Sequence, residues 1–97
     1  MRKYKMVFSP LAIIDIVQAV SYYKEKQKGL GKRFATQIQF ALATIKLNPH
    51  FTSIRYENIR CAQVSGFPFL IHFSVDEDSV TVTIAAVYST YQQPLWD

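Results

Sequence analysis

Between Arg60 and Tyr88 the chain alternates apolar and polar side chains through two long runs separated by an acidic tetrad. Phe67, Phe69, Ile71, Phe73 and Val75 interleave with Pro68, Leu70, His72 and Ser74, and after Asp76-Glu77-Asp78-Ser79 the pattern resumes as Val80, Val82, Ile84, Ala86 and Tyr88. A period of two marks strands with one buried face, and a short loop between them makes the strands antiparallel. Four loop residues would place Val75 opposite Val80, Phe73 opposite Val82, Ile71 opposite Ile84 and Phe69 opposite Ala86, a continuous apolar face that needs a cover. His72, Ser74, Thr81 and Thr83 then share the other face. Upstream, Ser65-Gly66 predicts a two-residue turn that pairs Val64 with Phe67, Ala62 with Phe69 and Arg60 with Ile71. Ile59, Cys61 and Gln63 turn outward in that register, so the outward face is almost uncharged.

The segments before this sheet supply its cover. Tyr4 to Phe8 is β-prone and predicts a first strand on the sheet edge. Ser9-Pro10 starts a helix, with serine as N-cap and proline at the first position, where a missing N–H costs nothing. Ile13, Ile16, Val17, Val20 and Tyr23 mark its expected buried stripe, running to about Gln27. Gly29-Leu30-Gly31 breaks that helix, and Leu30, Phe34, Ile38, Leu42 and Ile45 define a second one that Asn48-Pro49 ends. Residues 50–58 read as an irregular lead-in. The expected fold is α+β, in the order β-α-α-β-β-β: an N-terminal strand and an αα-hairpin packed on one face of a small antiparallel sheet. Trp96 is expected to fold back onto the core.

Bulk composition narrows the class. With 97 residues, 49% hydrophobic and 19% charged, the expectation is a single domain spanning 1–97 with one modest core rather than a disordered or linker segment. The lone cysteine, Cys61, has no partner for an internal disulfide, and neither it nor His50 and His72 shows metal-ligand spacing, so no metal or other cofactor is implied. No apolar window approaches the length of a membrane span, and no export signal is evident, which fits a reducing cytoplasm. The formal charge of +4 favours an acidic partner without choosing one.

Several local strings, in this order, resemble the RelE/ParE family of toxins from bacterial type II toxin–antitoxin systems. They are the Ser9-Pro10 helix start with Ala12 and Asp15, the Gly29-Leu30-Gly31-x-x-Phe34 link, the Asn48-Pro49 stop, Arg60, the Gly66-Phe67-Pro68-Phe69-x-Ile71 run, and Ala86-Val87-Tyr88 leading to Pro94-x-Trp96. The Phe-Pro-Phe run is closer to the ParE-like branch. The resemblance covers nearly the whole chain and implies a plasmid-stabilisation type toxin, partnered by a cognate antitoxin with an acidic amphipathic segment. It implies DNA gyrase as target in the ParE-like branch and the ribosome with its mRNA in the RelE-like branch. Many relatives carry a histidine after the last strand and an arginine three residues later; Ser89 and Gln92 stand there instead. That departure leaves room for a binding domain that kept the fold without toxicity. A free strand edge would also admit a weak homodimer.

Ribosome-dependent RNA cleavage needs a base, an acid and cations around the scissile phosphate. On the outward face only His72 can titrate near neutral pH, with Tyr88 and Tyr91 as weak candidates for an acid, and no cationic clamp is evident. A non-catalytic inhibitor is therefore expected, with gyrase ahead of the ribosome. Lys24, Lys26, Lys28, Lys32 and Arg33 gather at the hairpin tip with Glu25 alone among them, and Lys24, Lys28, Lys32 and Arg33 are the candidate contacts to target or partner. Arg60 points inward in the derived register and is expected to form a structural ion pair with Asp15, Glu57 or the carboxylate of Asp97. Cys61 has no basic neighbour in sequence to activate its thiol.

Overall fold

The computed structural model describes residues 3–91. Strand β1 (Lys5–Phe8) leads into helices α1 (Pro10–Lys26) and α2 (Leu30–Leu47), a 3-10 turn (Pro49–Phe51), and strands β2 (Ile54–Tyr56), β3 (Ile59–Gln63), β4 (Phe69–Asp76) and β5 (Thr81–Ser89). The sheet order is β1-β5-β4-β3-β2, with β1 parallel to β5 and the remaining pairs antiparallel, so the sheet is mixed. The strand β2 lies inside the stretch expected to be irregular. Its three residues are too few for alternation to register, and a bulge between Ile54 and Tyr56 breaks the pattern further.

Both helix boundaries fall where the capping residues put them. Ser9 Oγ accepts the Ala12 N–H at 3.1 Å and donates to the Ala85 carbonyl at 2.7 Å, so one hydroxyl caps α1 and ties it to β5. At the hairpin, Gly31 lies 2.9 Å, measured from where a Cβ would stand, from the Val20 carbonyl oxygen and 3.0 Å from Lys24 Cβ. Only glycine lets the two helices approach this closely.

The buried core follows the expected α2 stripe, with Phe34, Ile38 and Ile45 sealed and Leu30 and Leu42 packed at its margin. On α1 the stripe is displaced. Ala12 and Ala19 are the buried residues, flanked by Ile16, Val20 and Tyr23, whereas Ile13 and Val17 are 51% and 62% exposed. Small side chains face the sheet, so α1 sits close and Ile13 and Val17 rotate outward.

Strand registers differ from those read off the alternation. Ala62 pairs with Ile71 and Arg60 with Phe73, because Ser65 to Pro68 forms a wider turn: Val64 donates to Phe69, and Phe67 donates back to Val64. Proline at 68 has no N–H for a tighter ladder. The slip is two residues, so every side chain of β3 keeps its expected face. Between β4 and β5 the pairs are Val75 with Val82 and Phe73 with Ile84, and Val80 sits in the turn at φ 51°. A bulge then leaves Ala85 unmatched, so His72 opposes Ala86 and Ile71 opposes Val87. Beyond it the faces of β5 exchange. Val87, not Ala86 or Tyr88, joins the core, and Tyr88 emerges on the outward side.

Candidate functional site

The outward face centres on His72, which the register carries to the middle of β4 opposite Cys61. Tyr56 arrives from β2 and Tyr88 from β5 past the bulge, with ring centroids 6.0 and 5.0 Å from the imidazole. Between these rings His72 has no exposed surface at all, contrary to its expected place among accessible outward residues. Its Nδ1 is 3.2 Å from the Tyr56 hydroxyl and 3.5 Å from Cys61 Sγ. Burial, reinforced by the Arg55 charge, lowers the imidazole pKa to about 4, so it is neutral at physiological pH.

The same burial pushes the Cys61 thiol and the Tyr56 phenol up, with Arg55 pulling the thiol the other way. A neutral imidazole beside a neutral thiol is not an activated nucleophile, which would need the ion pair. Sequence reading placed no base near Cys61. The structure supplies His72, and burial makes it ineffective. It also missed Arg55 and Tyr56, which border the cluster from a stretch read as irregular; the signal was the β-prone Ile54-Arg55-Tyr56 run followed by Glu57-Asn58, a turn with Glu57 at φ 47°. Tyr91 is exposed, its N–H bound by Ser89 Oγ, and is not part of the cluster around His72.

Arg60 is half-buried and donates from Nη1 to the Thr52 carbonyl oxygen. Neither Asp15 nor Glu57 pairs with it. Asp15 instead accepts the Val87 N–H at 2.9 Å, next to the bulge. The carboxylate of Asp97, like Gln92 and Trp96, lies outside the described residues.

The helix-hairpin tip forms a second feature. Lys24, Lys26, Lys28, Lys32 and Arg33 are all exposed there, and Lys26 donates to the Tyr22 hydroxyl at 2.9 Å. The first turn of α2 has no acidic residue, and its N-cap, Gly29, contributes no side-chain hydrogen bond. Cations thus surround a helix N-terminus that already carries partial positive charge. Among the described residues no group of three potential metal ligands comes together, and no helix is long and apolar enough to cross a membrane.

No family model and no curated protein sequence matches this chain. Solved structures do. A chain of the chromosomal ParDE TA system from P. aeruginosa superposes with a TM-score of 0.73 at 13% identity, over 90% of this chain and 96% of that one. One from the RelBE2 toxin–antitoxin complex of Mycobacterium tuberculosis gives 0.64 at 20% identity, over 92% and 93%. The isolated E. coli RelE toxin gives 0.62 at 11% identity, over 96% and 90%. The fold is that of the RelE/ParE toxins.

Proposed function

We propose that this chain is the toxin of a type II toxin–antitoxin pair and that it acts by binding its target, DNA gyrase, rather than by cutting RNA. The sealed, neutral state of His72 carries this reading: the one outward histidine is closed off by Tyr56 and Tyr88 and has a pKa near 4. A general base must reach the proton it removes and work best with a pKa near the operating pH. The RelE/ParE fold supports the toxin role, and the exposed basic tip offers a non-catalytic contact surface. The antitoxin is the expected second partner, in the cytoplasm.

Arg55 favours one competing reading. Its charge acts on His72 and Cys61, and Tyr88 packs on the same imidazole, so the outward face is less bare of RNA-cleaving groups than the alternation implied. Induced expression and two purified assays separate the readings. Growth arrest, inhibition of gyrase supercoiling that weakens in Lys28→Ala/Lys32→Ala/Arg33→Ala, and activity retained in His72→Gln and Tyr88→Phe are expected. Cleavage of ribosome-bound mRNA that fails in Tyr88→Phe or Arg55→Ala, with gyrase unaffected, would replace gyrase by the ribosome. Unimpaired growth with folded protein would point to a non-toxic binding domain.

A further inference from the structure

Helix α1 carries its bulkiest aliphatic side chains on the side away from the core. Leu11 is 47% exposed, Ile14 51% and Val17 62%, and Ile13 stands beside them. Folding uses the other sides of the helix: Ala12 and Ala19 meet the sheet, and the backbone at Val20 and Lys24 meets Gly31 of α2. The exposed seam is also free of charge. From Phe8 to Tyr23 the only charged residue is Asp15, and its carboxylate accepts the Val87 N–H on the flank that meets β5. Val7 and Phe8, immediately before the helix, are exposed as well. A contiguous apolar surface of this kind marks an interaction site, in contrast to the single apolar residues scattered over any monomer.

Charge and symmetry select the occupant. The chain has a net charge of +4, and the exposed cations of the hairpin tip repel their counterparts in a second copy. The first four turns of α1 are a surface where two copies meet with no cation facing a cation. An acidic partner gains no ion pair there, and an anionic membrane finds no lysine or arginine between Phe8 and Tyr23 to flank the apolar stripe. The seam is also symmetric about Ile14. Leu11 and Val17 lie three residues to either side of it, and Pro10 and Gln18 four, all at exposed positions. A second α1, antiparallel and related by a two-fold axis at Ile14, sets Ile14 against itself and Leu11 against the partner's Val17. We infer that the chain forms a two-fold dimer through α1, packed antiparallel about Ile14. With the exposed parts of Val7, Phe8, Leu11, Ile13, Ile14 and Val17 covered in both copies, the contact removes on the order of 1,000 Å² from water, the lower end of specific interfaces.

The inference is independent of the toxin reading, and its test uses the purified chain alone. Sedimentation equilibrium of the wild type should show monomer and dimer in exchange, with a dissociation constant on the order of 1–10 μM. The melting temperature should rise with protein concentration, because only the folded chain dimerises. Ile14→Lys sets two ammonium groups against each other on the two-fold axis and should weaken the dimer about tenfold or more. Two further variants test the geometry. Leu11→Lys and Val17→Glu should each be monomeric alone, whereas an equimolar mixture should associate, since the new ammonium of one copy then meets the new carboxylate of the other. All three positions are about half exposed or more, so at low concentration the variants should melt like the wild type. A wild type that stays monomeric up to about 100 μM, a dimer indifferent to Ile14→Lys, or a mixture of the two single variants that does not associate would overturn the proposal. So would a monomer that instead binds anionic vesicles, or a helical peptide of another protein, and loses that binding in Ile14→Lys. None of these outcomes bears on growth arrest or gyrase, and absence of growth arrest would leave the sedimentation result standing.

Discussion

His72 sits where three neighbours decide its chemistry, and its protonation has a measurable consequence for stability. The folded pKa is about 4 against 6.5 for the free side chain, so between those values the unfolded chain binds a proton that the folded chain refuses. Stability from this group is complete above pH 6.5 and falls as the pH drops toward 4, by about 3 kcal/mol over the whole interval. Urea unfolding of wild type and His72→Gln at pH 7 and pH 5 isolates it, since the other titrating groups cancel in the difference. The wild type should lose about 2 kcal/mol more than the variant over that range, and a difference that does not change with pH would mean that His72 is not held neutral. The face of His72 was legible in the alternation of residues 67–75. Its burial was not, because one covering ring comes from a three-residue strand and the other from a tyrosine whose face depends on a bulge.

At the scale of elements, period-two and period-four patterns located the strands and helices, and their detailed phase came from contacts the patterns do not encode. Ala85-Ala86-Val87 is uniformly apolar, so nothing in its sequence marks where the alternation skips a residue. Asp15 helps to hold the skipped form by accepting the Val87 N–H from across the α1 interface. Asp15→Ala leaves that partly buried donor without its acceptor and should destabilise by about 1–3 kcal/mol, whereas Asp15→Asn keeps an oxygen in place and should cost less. Thermal or urea melts rank the two, and equal losses would indicate that the carboxylate charge matters rather than the hydrogen bond. The helix pair gives a sharper case. Gly31→Ala gains up to about 1 kcal/mol of helix propensity but drives a methyl group to within 2.9 Å of the Val20 carbonyl oxygen and 3.1 Å of the Lys24 nitrogen. Backbone on the opposing helix must move to admit it, so a net loss of about 1–2 kcal/mol is expected by the same melts. Similarly, the two alanines that set α1 against the sheet are weak hydrophobic signals beside Ile13 and Val17, which is why the helix was legible and its rotation was not.

Across the whole molecule, the three basic residues at the start of α2 are arranged in a way that folding does not favour, unlike Lys24 and Lys26 in the last turn of α1. Lys28 immediately precedes Gly29, the N-cap of α2, and Lys32 and Arg33 lie in its first turns, where a cation opposes the helix dipole by about 0.3–1 kcal/mol each at low salt. They are exposed, and mutual repulsion adds to the cost. Removing all three charges in Lys28→Ala/Lys32→Ala/Arg33→Ala should therefore leave the fold as stable as before or raise its stability by about 1 kcal/mol, since alanine is also the better helix former. The gain should shrink as salt screens the charges. Unfolding measured at low and high ionic strength checks both statements, and a loss of stability at low salt would mean that the cations have folding roles of their own. With stability preserved, any accompanying loss of gyrase inhibition has to come from a missing contact and not from a damaged protein. Under the proposed function these cations meet an acidic target, and the triple variant measures the fold's side and the target's side of that balance in one protein.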